Sequence, residues 1–271
     1  KEMKQRLIVA GVGIPVLLLI LLAAPVWATA AMCALLSAVG CYELMRAAGG
    51  TEWKMLCFMP VFAFVNTLAF ADTWDTGEFA GALIFVSVVL VFTAAVITHG
   101  RERSVSFATA MAAVFSGVLL PAAFACLALL REASAALALT PFIGAFMSDT
   151  GAFFAGRAFG KHKLAPAVSP HKTVEGSIGG FAGSVIGMLV FHFAARAAVR
   201  LDIGVFAAVL LGLAGSLLGQ IGDLSFSVIK REFGIKDYGH LFLEHGGVLD
   251  RFDSVLFVAP AYYLILTLLF N

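Results

Sequence analysis

The feature that most limits this chain's fold is the recurrence of apolar runs about twenty residues long. They are drawn at Leu7–Ala24, Val26–Arg46, Trp53–Phe70, Phe79–Thr98, Val105–Leu130, Ala135–Arg157, Ser177–Val199, Ile203–Ile229 and Ser254–Phe270. Each approaches the ~20 residues that let a helix cross ~30 Å of hydrocarbon. Barrel strands are shorter, about ten residues of alternating polarity. Composition agrees: 61% of the 271 residues are hydrophobic and 13% charged, where soluble domains carry about a quarter charged residues. The expected fold is an all-α polytopic membrane protein of about nine transmembrane helices. The first run is followed at once by a second and lacks an A-x-A site, so it reads as a retained span. Val105–Leu130 is overlong and contains Pro121, so it is either one kinked helix or two short segments.

Lysine and arginine set the expected orientation. With nine spans, 15 of the 18 fall on one side, and only Arg131, Arg196 and Arg200 fall on the other. The positive-inside rule then puts the N-terminus in the cytoplasm, with both long polar loops, 158–176 and 231–253. A second break at Pro121 would spoil that asymmetry, which favours nine. The chain reads as a single membrane domain over 1–271: a helical scaffold at 1–134, then a catalytic half at 135–271 that carries both loops. Cys33, Cys41, Cys57 and Cys126 show no CxxC spacing and read as small buried apolar residues.

The most polar stretch runs from Gln220 to Asp253. Ser216, Gln220, Asp223, Ser227 and Lys230 recur at steps of four and three, which puts them on one helical face. Asp223 falls about two turns inside the end of a span. Aspartate is too short to snorkel from there, so it reads as a metal ligand or a proton carrier. Asp250 and Asp253, one helical turn apart on the following loop, favour the metal. Gly246 and Gly247 just before them would let backbone approach a ligand closely. His245 could serve as metal ligand, phosphate donor or ordinary loop residue. Carboxylates, Lys and Arg gathered at a membrane edge are what a divalent ion and a polyphosphate need together.

Two earlier segments join this set. Ser148-Asp149-Thr150-Gly151 puts a carboxylate at comparable depth in the preceding helices, as a site residue or as a hydrogen-bonding group between helices. The loop from Gly156 to Gly176 supplies Arg157, Lys161, Lys163, His171 and Lys172. Ser169 and Thr173 offer hydroxyls there, and Pro166 and Pro170 stiffen the path. That loop reads as a grip on phosphate, though not as a Walker loop, because GxxxxGK[ST] is absent. The span glycines, among them Gly179, Gly183 and Gly215, read as close helix contacts. His99, His162 and His192 read as interfacial.

The order Ser227-x-Ile-Lys-Arg231, Lys236-Asp237, His245-Gly-Gly-Val-x-Asp250-Arg-Phe-Asp253 resembles the pattern of the bacterial CDP-diacylglycerol synthases, the phosphatidate cytidylyltransferases. Ser148-Asp-Thr-Gly151 and Ser169-Pro-His-Lys-Thr-Val-Glu-Gly176 look like that family's other blocks. The likeness covers about Ser148 to Pro260. There are three departures. Phe226 stands where the family usually has Glu, Val174 where it has Trp, and Leu243-Glu244 where it has Pro-Gly.

The resemblance implies transfer of CMP from CTP to phosphatidate, giving CDP-diacylglycerol and pyrophosphate for phospholipid biosynthesis, at the cytoplasmic face of the inner membrane. It makes Asp223 and Asp250 the principal ligands of Mg²⁺, with Asp253 and Asp149 as secondary ligands and room for a second cation such as K⁺. Lys172, Lys230, Arg231 and Arg251 would hold phosphates, with Lys236 beside them. Ser169, Thr173, Ser227 and His245 would donate hydrogen bonds, and Gly246 and Gly247 would lie against substrate. A homodimer is implied, and no nucleic-acid partner. Two alternatives remain at this stage: a CTP-dependent enzyme on another lipid (a polyprenol kinase or isoprenoid-lipid cytidylyltransferase), and a transporter with intramembrane carboxylates.

Overall fold

The computed structural model describes residues 11, 13, 15–48, 57–71, 77–101, 104–239 and 246–270. His245 lies outside them, as do His240, Leu243 and Glu244 and the starts of the runs at Leu7 and Trp53. The described elements are α1 (Val26–Ala48), α2 (Met59–Phe70), α3 (Gly77–Thr98) and α4 (Phe107–Ala133), then α5 (Thr140–Phe159), β1 (Lys163–Ala165) and β2 (Ser169–Thr173). They continue with α6 (Val174–Val199), α7 (Val205–Glu232), α8 (Leu249–Phe252) and α9 (Val255–Phe270). The fold is an all-helical polytopic membrane protein. Among the described residues six helices are long and apolar enough to cross a membrane, and α2 and α9 are shorter apolar helices. Phe85, Val96, Ile186, Val190 and Phe206 stand exposed on these helices, as lipid-facing side chains should, because hydrocarbon tails solvate them as well as a protein core would.

The chain divides into two compact units, Lys1–Glu132 with Glu232–Arg251, and Ala133–Arg231 with Phe252–Asn271.

In the first unit, small side chains let α1, α2, α3 and α4 approach closely. Cys41, Met45, Met59, Ala63, Val91 and Ala113 form one buried cluster, and Ala30, Ala34, Leu68 and Ala125 belong to another. The overlong run is one continuous helix, α4. Residues Phe115–Leu119 take a π-helical turn just before Pro121. A π turn absorbs an extra residue and frees a carbonyl, which suits the residues preceding a proline that cannot donate. Asn66 of α2 donates its Nδ2 to Gly117 O at 2.8 Å, so a partner is supplied inside the bundle.

In the second unit, α5 and α6 pack backbone to backbone. A Cβ on Gly151 would collide with Gly179 O, and one on Gly183 with Met147 O, so the span glycines do serve close helix contact. Tyr262 of α9 is fully buried against Gly144 and Gly215. The loop expected between α5 and α6 contains a short antiparallel hairpin, with Lys163 opposite Thr173 and Ala165 opposite Ser169. Cys33 and Cys41 are buried, as expected, but Cys57 is exposed. His192 is buried, at 1% exposure.

Candidate active site

The second unit gathers one lysine and three aspartates. Thr173 ends β2 and caps α6, its Oγ1 accepting from Gly176 N at 3.1 Å. Glu175 on the first turn of α6 holds the other strand. Its Oε2 accepts from Lys161 N and His162 N at 3.1 and 3.2 Å, and its Oε1 lies 2.6 Å from His162 Nδ1. Lys163 Nζ donates to Pro170 O at 2.6 Å. The hairpin is thereby fixed to the start of α6, and Lys172 is delivered from a rigid strand.

The Lys172 ammonium contacts Asp223 Oδ2 on α7. Burial lowers the Lys172 pKa from the ordinary lysine value, and the charges of Asp149 and Asp253 act in the opposite direction. Asp149 comes from α5. Asp253 sits just before α9, where its Oδ1 accepts from Ser254 N at 2.7 Å. Three carboxylates thus act on one ammonium: Asp223 by contact, and Asp149 and Asp253 through their charge.

Beneath this cluster runs a polar ladder. Ser148 Oγ and Ser216 Oγ lie 2.9 Å apart, Gln220 Nε2 donates to Ser216 Oγ at 2.9 Å, and Ser177 Oγ donates to Gln220 Oε1 at 2.6 Å. The ladder ties α5, α6 and α7 together one turn below Asp223, so the helices that carry Asp149 and Asp223 cannot slide independently. Ser216 and Gln220 share the face that the four-residue spacing indicated. Ser227 and Lys230 are half-buried on the last two turns of α7, and Arg231 is exposed at its end. Ser169 is half-buried in the hairpin.

Phe226 is buried and meets Phe257 edge-on, with ring centroids 6.4 Å apart. The departure from Glu therefore adds apolar packing at that position. Val174 opens α6 as an exposed side chain.

The first unit holds the other expected residues. Lys236 and Arg251 are exposed. Asp250 Oδ2 accepts from Tyr238 N at 2.8 Å and Gly247 N at 2.9 Å. Gly246 has φ +82°, a conformation natural only to glycine. Gly247 is packed against the carboxylate of Glu43. Glu43 was missed by the sequence reading, although it is the one acidic residue within the run Val26–Arg46. An ionisable residue inside a span is a site hypothesis by default, and that signal could have found it.

Comparison with known proteins decides the family. The sequence profile of the cytidylyltransferase family matches residues 4–269. The chain belongs to the cytidylyltransferase family. Curated relatives named phosphatidate cytidylyltransferase include proteins of Staphylococcus haemolyticus and Staphylococcus saprophyticus, each 45% identical over 122 residues. The one from Staphylococcus aureus strain COL is 45% identical over 125 residues. Each alignment covers 45% of this chain and 45% of the relative's length, so the matched stretch spans just under half of the curated proteins. Within this family member, the Lys172–Asp223 contact belongs to the half in which the sequence resemblance was read.

A metal must fit the donors present. Among the described residues no three Asp, Glu, His or Cys side chains converge closely enough to hold an ion by themselves. Mg²⁺ does not need such a cage, because it commonly binds through one or two carboxylates and completes its shell with water and substrate phosphate. Aspartates gathered around an ammonium suit that mode.

Proposed function

We propose that the chain transfers CMP from CTP to phosphatidate, giving CDP-diacylglycerol and pyrophosphate, at the cytoplasmic edge of the bacterial inner membrane. The observation that carries this reading is the contact of Lys172 with Asp223, with the charges of Asp149 and Asp253 acting on the same ammonium. A lipid phosphate and a water-soluble nucleotide can meet only at a membrane edge, and Asp223 lies about two and a half turns from the end of α7. Family membership and the relatives' names support the choice of CTP and phosphatidate.

A phosphatidate oxygen attacks the α-phosphorus of CTP, the bond to the bridging oxygen of the β-phosphate breaks, and pyrophosphate leaves. A phosphate monoester, with a second pKa of about 6, is already ionised near neutral pH, so no general base is required. Rate therefore comes from positioning and charge neutralisation. Asp223 and Asp250 would be the principal ligands of the metal, with Asp253 and Asp149 as secondary ones. Mg²⁺ held there would offset charge on the triphosphate and on the departing pyrophosphate. A second cation such as K⁺ would share that task. Lys172 exchanges part of its contact with Asp223 for a substrate phosphate, while Lys230, Arg231 and Arg251 hold the remaining phosphates, with Lys236 nearby. Ser169, Ser227 and His245 donate hydrogen bonds to substrate. Thr173 supports the site by fixing the end of the hairpin. The family resemblance implies a homodimer as the working form.

The test is conversion of labelled CTP by purified protein in detergent, with phosphatidate and Mg²⁺ added or withheld. CDP-diacylglycerol and pyrophosphate should form only when all three are present, and an Asp250→Asn control should be inactive. Turnover with a polyprenyl lipid in place of phosphatidate would change the substrate and keep the chemistry. No CTP use by folded protein with any lipid would end the transferase reading.

A further inference from the structure

Glu43 is 3% exposed on α1, a helix of membrane-crossing length. A carboxylate so placed is costly unless its oxygens are fully engaged. Both are. Oε1 accepts from Val248 N and Oε2 from Leu249 N, each at 3.0 Å. Backbone closes around the group so tightly that a Cβ on Gly239 or Gly247 would collide with it. The second glycine of His-Gly-Gly is thus required by a side chain of the protein's own α1. Its neighbour Gly246 lies over Asp250, where a Cβ would come 2.7 Å from Oδ2.

One turn further along α1, Arg46 Nη2 donates to Tyr238 O at 2.9 Å. Tyr238 N in turn donates to Asp250 Oδ2, which also accepts from Gly247 N. Adjacent turns of α1 therefore grip the backbone on both sides of the Asp250 carboxylate: Arg46 through Tyr238, and Glu43 through Val248 and Leu249. A single oxygen of Asp250 receives both backbone donors, which fixes the direction of the carboxylate.

We infer that Glu43 is a positioning residue that aims Asp250 by holding Val248 and Leu249, with Arg46 fixing the backbone at Tyr238 on the other side. The inference rests on the proposed role of Asp250 as a metal ligand. Supporting partners that orient a metal ligand are worth about 10–100-fold in metal affinity or activity. Glutamine at 43 would keep one acceptor and turn an N–H toward a backbone N–H, which releases one of the two amides.

The experiment uses the full chain in detergent as wild type, Glu43→Gln and Arg46→Ala. Hydrogen exchange of peptides spanning 246–252, without nucleotide or metal, reads the clamp directly. CTP conversion titrated with Mg²⁺ reads its consequence. In the wild type the Val248 and Leu249 amides should be protected. In Glu43→Gln they should exchange faster, and the Mg²⁺ needed for half-maximal rate should rise about 10–100-fold with KM for phosphatidate unchanged. Arg46 is an exposed residue at the end of α1, so its alanine variant tests the same clamp if Glu43→Gln does not fold. It should raise the Mg²⁺ requirement in the same direction. Rapid exchange of 248–249 in the wild type overturns the clamp. Faster exchange in Glu43→Gln with an unchanged Mg²⁺ requirement overturns the link to Asp250 while leaving the transferase reading intact. A folded wild type that uses no CTP with phosphatidate overturns the transferase reading first, and the role of Glu43 with it.

Discussion

The Lys172 ammonium rests on Asp223 Oδ2, and this pairing joins a rigid hairpin to a transmembrane helix. In the absence of substrate each group satisfies the other, which limits the cost of holding both charges partly out of water. Asp223→Asn removes the charge with little change of shape. Supporting residues around metal ligands cost about 10–100-fold when lost, so a direct ligand should cost at least about a hundredfold. CTP turnover should fall by that much while the variant elutes as a monodisperse peak on size exclusion in detergent. Turnover within a few-fold of wild type would remove Asp223 from the metal site.

Lys172 also sets an expected pH dependence. Burial lowers its pKa, and Asp149 and Asp253 partly restore it. The folded protein therefore releases this proton at lower pH than the unfolded chain. Charged Lys172 costs stability at neutral pH, and that cost is relieved as pH rises through the folded pKa toward the ordinary lysine value. Phosphate binding runs the other way, since it needs the ammonium. The rate should decline on the alkaline side at a pH below the ordinary lysine range, and Asp149→Asn should move that limb lower still. A pH–rate profile of the variant checks this, and an unmoved limb would mean that a different group is titrating.

Much of the scaffold was legible because hydropathy and helix length are coupled by bilayer thickness. The drawn run Ile203–Ile229 is the helix Val205–Glu232, and Ser177–Val199 is Val174–Val199. The three-residue shift at the start of the latter comes from Thr173, whose cap is invisible to a hydropathy window. The π turn before Pro121 was beyond reach, because it depends on Asn66 of another helix meeting Gly117 O. The hairpin was missed for a similar reason: its strands are only three and five residues long, and Glu175 anchors the chain beside them. Ser216, Gln220 and Asp223 were readable from spacing alone, whereas Glu43 lay 205 residues from the amide it holds. Gly247 shows the limit most clearly. The sequence pointed to a ligand lying against its backbone, whereas the structure places the carboxylate of Glu43 there.

The α5–α6 contact gives a direct stability test. Gly151→Ala would drive a methyl into Gly179 O, a backbone atom that cannot turn aside. Overpacking of this kind costs about 1–3 kcal/mol. At Gly219, by contrast, a methyl would find Val258 Cγ2 at 3.5 Å, ordinary contact distance, and alanine is the better helix former. Thermal unfolding in detergent should show Gly151→Ala melting below wild type and Gly219→Ala at or above it. Equal melting of the two variants would refute the close crossing.

Asn66 and Gly117 provide the last prediction, and it concerns the first unit. Within a membrane-crossing helix the carbonyl of the π turn has no water to turn to, so its bond to Asn66 Nδ2 replaces the one the regular helix would have made. Asn66→Ala leaves that oxygen unpaired and should destabilise the unit by about 1–3 kcal/mol. Gly117→Ala disturbs the same turn differently, because its methyl would overlap the terminal Cε of Met59, with Sδ at an ordinary contact distance of 3.7 Å. That flexible group can move, so the cost should be smaller. Unfolding temperatures of the two variants should rank Asn66→Ala below Gly117→Ala. The opposite order would mean that packing, rather than the carbonyl's hydrogen bond, holds the π turn in place.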